Sequence, residues 1–151
     1  MVISYHGIEA FRVQFGDTVL SFNPVSKDSK YKPTNFGSDI TLVSTNHPDM
    51  NGETSRGEKE SFRIDSPGDY EVKGVVVKGL PSFSKLGLNT IYTVNLENIN
   101  LCFLGALSDP NLPAEAKESI DGVDILFVPV GGEGVLSPAE AYRLAVSLEP
   151  A

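Results

Sequence analysis

At 151 residues, the chain has the length of one ordinary domain spanning 1–151, long enough to bury about two-thirds of the surface its unfolded form exposes without staples. Twelve Lys and Arg against twenty Asp and Glu give a net charge of −8, which argues against a nucleic-acid backbone or an anionic membrane as partner. The composition is globular, 40% hydrophobic and 21% charged, and the longest apolar run, Ile125 to Val130, is too short to cross a bilayer.

Runs rich in Val, Ile, Phe and Tyr, cut by Gly, Pro, Asn and Asp, predict a strand-rich protein. Strands are expected over Val2–Tyr5, Ala10–Phe15, Val19–Phe22, Ile40–Ser44, Ser61–Asp65, Tyr70–Lys78, Thr90–Leu96, Ile99–Leu104 and Asp124–Val130. Gly16-Asp17 and Glu97-Asn98 have the spacing of hairpin turns. Two helices are expected. Pro113–Ser119 sets Ala114 and Ala116 against charged neighbours. The second opens at Ser137-Pro138-Ala139-Glu140, where Ser caps, Pro occupies the first helical position and Glu completes a capping box; Ala141, Leu144, Ala145 and Leu148 then share a face. The polar stretches 23–37 and 45–59 are expected to be loops, and long loops inside a domain carry function or move. Met1 leads into Val2-Ile3-Ser4-Tyr5 with no basic stretch and no apolar core before a cleavage site, so no signal peptide is expected. The single cysteine, Cys102, cannot form an internal disulfide and fits a reducing cytoplasm.

Several motifs in order resemble the metallo-β-lactamase superfamily, in its small zinc-dependent-hydrolase-like branch. They are Ser4-Tyr5-His6-Gly7 with Phe11-Arg12-Val13, Phe22-Asn23-Pro24, Thr41 to Asn51, Ser66 to Gly74, Asn89-Thr90-Ile91-Tyr92, Leu104-Gly105, and Val128-Pro129-Val130-Gly131-Gly132. The resemblance covers almost the whole chain. It implies an α/β fold, an αββα sandwich with metals at one edge of the sheets, held by a loop of pattern His-x-His-x-Asp-His after a buried strand. Here that loop reads Thr45-Asn46-His47-Pro48-Asp49-Met50, so only His47 and Asp49 remain. A hydrolytic zinc needs three protein ligands and an open position, and neither Thr nor Met is an ordinary zinc ligand. The other positions depart as well. Gly7-Ile8-Glu9 stands for Gly-His-Ser, Asn23-Pro24 for Asp-Pro, and Phe103-Leu104-Gly105-Ala106 for a stretch carrying His and a bridging Asp. Pro81-Ser82-Phe83-Ser84 has no histidine, and the chain stops at Ala151, before a strand that in relatives leads to a further ligand.

The resemblance therefore implies a degenerate, C-terminally shortened member that keeps the scaffold for binding or assembly, with no catalytic residue and no cofactor assigned. The alternative is a residual hydrolase with one weakly bound zinc on His47 and Asp49, completed by another chain or by a carboxylate such as Asp69. The partner expected is a second copy, since ending at Ala151 leaves a strand such as Asp124–Val130 without its usual neighbour; a small-molecule or protein ligand stays unassigned. Each remaining candidate also has a plain structural reading. His47 is a loop side chain bonded to a nearby Asp or backbone group, and His6 is hydrogen-bonded at a strand end. Cys102 is a buried inert thiol, since no basic residue flanks it. Asp65 and Asp69, bracketing Ser66-Pro67-Gly68, are turn residues rather than an acid–base pair. Gly131-Gly132-Glu133-Gly134 is a tight turn rather than an anion cradle, since Glu133 repels phosphate.

Overall fold

A computed structural model of the chain describes residues 1–56, 59–131 and 134–150, with only the backbone of Arg56. The chain divides into two compact units, Met1–Asp65 and Ser66–Ala151.

In the first unit, β1 (Val2–Tyr5), β2 (Phe11–Phe15) and β3 (Thr18–Phe22) form an antiparallel meander, and β4 (Ile40–Leu42) and β7 (Phe62–Ile64) continue the sheet in parallel. The strand order is β1-β2-β3-β4-β7. Burial follows that order. β3 and β4 are buried along nearly their whole length, as expected for strands with neighbours on both sides, while β1 at the edge exposes Val2, Ile3 and Tyr5. A short hairpin of β5 (Ser55–Arg56) and β6 (Lys59–Glu60) lies in the segment expected to be all loop.

The second unit holds a sheet of order β12-β11-β10-β9-β8 and both helices of the described residues. Strands β8 (Gly68–Val72), β9 (Val75–Ser84), β10 (Gly87–Leu96) and β11 (Ile99–Phe103) pair antiparallel in succession. Helix α1 (Ala114–Ile120) then carries the chain to β12 (Ile125–Phe127), parallel to β11 at the edge, and α2 (Pro138–Leu148) follows. One face of the sheet, with Leu80, Ile91 and Cys102, packs against Ala116 and Ile120 of α1 and Ala141 and Leu144 of α2. Helix α2 starts where expected: Glu140 N–H donates to Ser137 Oγ at 3.2 Å, and Ser137 N–H donates to Glu140 Oε1 at 3.0 Å. No described helix is long and apolar enough to cross a membrane.

Three expectations change. Tyr70–Lys78 is not one strand, because Lys73 and Gly74 both adopt positive φ, 52° and 78°, and turn the chain between β8 and β9. β9 then runs on to Ser84 through Pro81. Proline is tolerated there because β8 pairs with β9 only as far as Gly79, and beyond it β9 has only β10 beside it. The Asp124–Val130 strand is shorter than expected, ending at Phe127 ahead of Pro129.

Candidate metal loop and its surroundings

The loop after β4 is held from its backbone outward. Asn23, buried and at φ 45°, ends β3; its N–H donates to Leu42 O at 2.9 Å, its Nδ2 donates to Ser44 Oγ at 2.8 Å and its Oδ1 accepts Ser44 N–H at 2.8 Å. A neutral carboxamide thus ties the ends of two neighbouring strands. His47 N–H donates to Thr45 O at 3.0 Å and Met50 N–H donates to His47 O at 2.8 Å, winding residues 45–50 into a turn. At its exit Gly52 N–H donates to Pro24 O at 2.7 Å, and a Cβ on Gly52 would stand 2.7 Å from Val25 O, so no larger residue fits. From β7, Arg63 donates Nη1 to Gly52 O at 2.8 Å and Nη2 to Asn51 O at 3.1 Å.

Within this turn His47 Nδ1 accepts Asp49 N–H at 3.1 Å, so Nδ1 carries no proton in that bond and only Nε2 is left to hold a ligand. His47 Nδ1 and Asp49 Oδ2 are 3.7 Å apart, and Asp49 Oδ1 accepts from Ser29 Oγ at 2.5 Å. The two surviving positions are therefore neighbours, His47 bonded within its own turn and Asp49 bonded to Ser29 of the loop after β3. Thr45 and Met50 are buried, 3% and 4% exposed, and neither a hydroxyl nor a thioether is an ordinary zinc ligand. Among the described residues no three His, Cys, Asp or Glu side chains gather as a metal would require.

The other candidates take structural places. His6 Nε2 lies 3.1 Å from Ser4 Oγ, with its ring against Phe36 at a centroid distance of 4.6 Å. Cys102 is fully buried, and burial pushes its thiol up to about 12, which keeps it a thiol at neutral pH. Asp65 pairs with Arg63 at 3.3 Å. Asp69 is a strand residue of β8, opposite Lys78, and not the turn residue expected. Gly132 and Glu133 lie outside the described residues. Phe103, Leu104 and Ala106 are all buried, and the turn they enter is pinned by Asn89, whose Nδ2 donates to Leu104 O at 3.0 Å while its Oδ1 accepts Ala106 N–H at 2.9 Å.

Sequence reasoning passed over two features of the first unit. Glu9 follows Gly7 and Ile8, both at positive φ (96° and 52°), and is only 8% exposed. Its buried Oε2 meets no hydrogen-bond partner among the described residues, and burial pushes its carboxyl up to about 8. The second is a ring of hydroxyls: Ser38 to Thr54 at 2.5 Å, Thr54 to Thr41 at 2.7 Å, Thr41 to Ser61 at 2.7 Å and Ser61 to Ser38 at 3.0 Å. Four hydroxyls carry four protons, so a closed ring satisfies every donor without water. Thr41, Thr54 and Ser61 also border a cavity of about 590 Å³, together with Glu53, Lys59 and Arg63.

A buried parallel strand, β4, thus delivers the His47-Pro48-Asp49 turn at its end, within an α/β chain of strand-rich mixed sheets. A family model described as a β-lactamase superfamily domain matches residues 2–151, and the chain belongs to that family, the metallo-β-lactamase superfamily. A protein from Thermotoga maritima, described as a candidate zinc-dependent hydrolase of this superfamily, is 29% identical, with a TM-score of 0.79 over 98% of this chain and 71% of its own. Igni18, a metallo hydrolase from Ignicoccus hospitalis, is 16% identical, with a TM-score of 0.70 over 98% of this chain and 78% of its own. Human tRNase Z, short form, is 12% identical, with a TM-score of 0.63 over 94% and 82%; at such identities the last two speak for the fold alone. No curated protein matches the chain in sequence. The zinc that this family implies does not fit the loop here: it offers one imidazole nitrogen and a carboxylate already bonded to Ser29, short of three ligands.

Proposed function

We propose that this chain is a non-catalytic member of its family, keeping the scaffold for binding or assembly. The observation that carries the reading is that, among the described residues, no third His, Cys, Asp or Glu joins His47 and Asp49, Thr45 and Met50 standing on either side of them. Nothing in that loop brings a water's pKa near neutrality without a metal, and Cys102, the one strong nucleophile type, is a buried thiol. The same free thiol supports placing the protein in the reducing cytoplasm.

The protein as purified is expected to hold no zinc, iron or manganese after extensive dialysis, and to hydrolyse no β-lactam, phosphodiester or lactone above background with or without added zinc. About one metal per chain by elemental analysis, or a turnover lost in His47→Ala and kept in a distant surface variant, would instead establish a residual hydrolase on His47 and Asp49.

A further inference from the structure

Charge is unevenly distributed along this chain. Residues 26–34 carry Lys27, Lys30 and Lys32 against Asp28 alone, a net of +2, whereas the remainder has nine basic and nineteen acidic residues, a net of −10. The basic stretch is also firmly held. Its neck is closed by Thr34 N–H donating to Val25 O at 3.1 Å and Val25 N–H donating to Thr34 Oγ1 at 2.8 Å. Its body is latched to the His47 turn by Ser26 N–H on Pro48 O at 3.0 Å and by Ser29 Oγ on Asp49 Oδ1, while Ser29 Oγ also accepts Tyr31 N–H at 3.1 Å.

What this frame presents outward is three exposed lysines, the exposed Asp28 and Tyr31, itself 49% exposed, with Lys30 Nζ 5.2 Å from the Tyr31 ring centroid. An exposed loop does not enclose a small molecule as a concave pocket does. Lysines on it act at longer range, steering an oppositely charged surface into contact. A tyrosine among them supplies the amphipathic contact area typical of interface anchors, and a loop already ordered by its own hydrogen bonds lowers the ordering cost of association.

We propose that the loop of residues 26–34 is a docking surface for an acidic segment of a partner protein, Lys27, Lys30 and Lys32 meeting its carboxylates and Tyr31 packing against its chain. This deepens the binding role proposed above and rests on it.

The test uses the full chain and a fluorescein-labelled octaglutamate peptide, read by fluorescence anisotropy at about 50 and about 300 mM salt. The wild-type protein is expected to bind, more weakly at the higher salt. Combined Lys27→Ala, Lys30→Ala and Lys32→Ala is expected to weaken binding about tenfold or more, and Tyr31→Ala several-fold with the salt dependence retained. Combined Lys59→Ala, Lys85→Ala and Lys117→Ala removes the same charge elsewhere and is expected to leave binding within about twofold of wild type.

Absence of wild-type binding, or equal loss in both triple variants, overturns the proposal. Equal or tighter binding of an octathymidylate assigns the loop to phosphate chains and overturns it as well. So does self-association that the 27/30/32 variant abolishes, since the occupant is then a second copy. A zinc titration of the same samples separates the two readings: zinc bound at His47 with peptide binding intact refutes the non-catalytic reading alone, and a zinc-free chain that ignores the peptide refutes the docking surface alone.

Discussion

Glu9 is the residue whose chemistry differs most from its neighbours. A buried carboxyl whose Oε2 meets no partner among the described residues holds its proton up to about pH 8, whereas the unfolded chain releases it near 4.5. The native state therefore binds more protons between these values, and the contribution of Glu9 is fully present below pH 4.5 and is lost as pH rises through about 8. Glu9→Gln should remove this loss, raising stability at pH 8 by a few kcal/mol while changing little at pH 4. Urea melts at both pH values check it, and a gain independent of pH would show that the Glu9 charge is not the cause. His47 is the opposite case. Its side chain is 36% exposed and, among the described residues, bonds within its own turn, so His47→Ala should cost no more than about 0.5 kcal/mol. A loss of several kcal/mol in the same melts would show that the imidazole supports more than its turn.

Between elements, single carboxamides do the joining. Asn23 ties the end of β3 to the chain leaving β4, and Asn89 ties β10 to the turn after β11. Removing the Asn89 amide leaves Leu104 C=O and Ala106 N–H buried without this partner, so Asn89→Ala should cost about 2–4 kcal/mol. Asn95→Ala on the same strand, where the amide meets only the exposed Asn100 side chain at 2.8 Å, should cost about 0.5 kcal/mol or less. Denaturation midpoints of the two variants check the pair of expectations, and equal losses would mean that the cost lies in strand propensity and not in the buried bonds. Asn23 stands where the family resemblance has an aspartate, and Asn89 is bonded to Leu104 and Ala106 of the stretch where it has a histidine and an aspartate; here their bonds are structural.

For the whole molecule, assembly turns on β12. It is the last strand of its sheet, three residues long, paired with β11 on one side and free of charge. An apolar edge of this kind pairs readily with another chain, and a twofold dimer is the commonest closed result. The mass in solution is accordingly expected near twice 16.2 kDa. Light scattering over a dilution series checks it, and a mass that stays at one chain at high concentration excludes a dimer through β12.

The sequence by itself determined the succession of most strands along the chain, the cap of α2 and the departure of positions 45 and 50 from the loop pattern of the family. These are local facts: alternation shows in neighbouring residues, Ser137 and Glu140 are three apart, and a missing histidine at 45 or 50 is missing in any fold. The Lys73-Gly74 turn escaped because apolar residues continue on both sides of it and only the two positive φ angles break the strand. The stretch of β9 through Pro81 escaped as well, since proline is a poor strand residue in general and is accommodated here because the pairing of β9 with β8 ends at Gly79. Tertiary structure alone decided the rest. Glutamate is ordinarily an exposed residue, so nothing local marks Glu9 for burial; only in the folded chain, after the positive-φ pair Gly7 and Ile8, is it inside. Ser38, Thr41, Thr54 and Ser61 read as ordinary loop and strand polar residues until the parallel pairing of β4 with β7 brings four distant hydroxyls within bonding range. The stretch 23–37 reads as a polar loop, and only the bonds of Ser26 and Ser29 to the turn of His47 show that the segment carrying Lys27, Lys30 and Lys32 is held in place. Burial and convergence depend on contacts far apart in the chain, and no periodicity along the sequence encodes them.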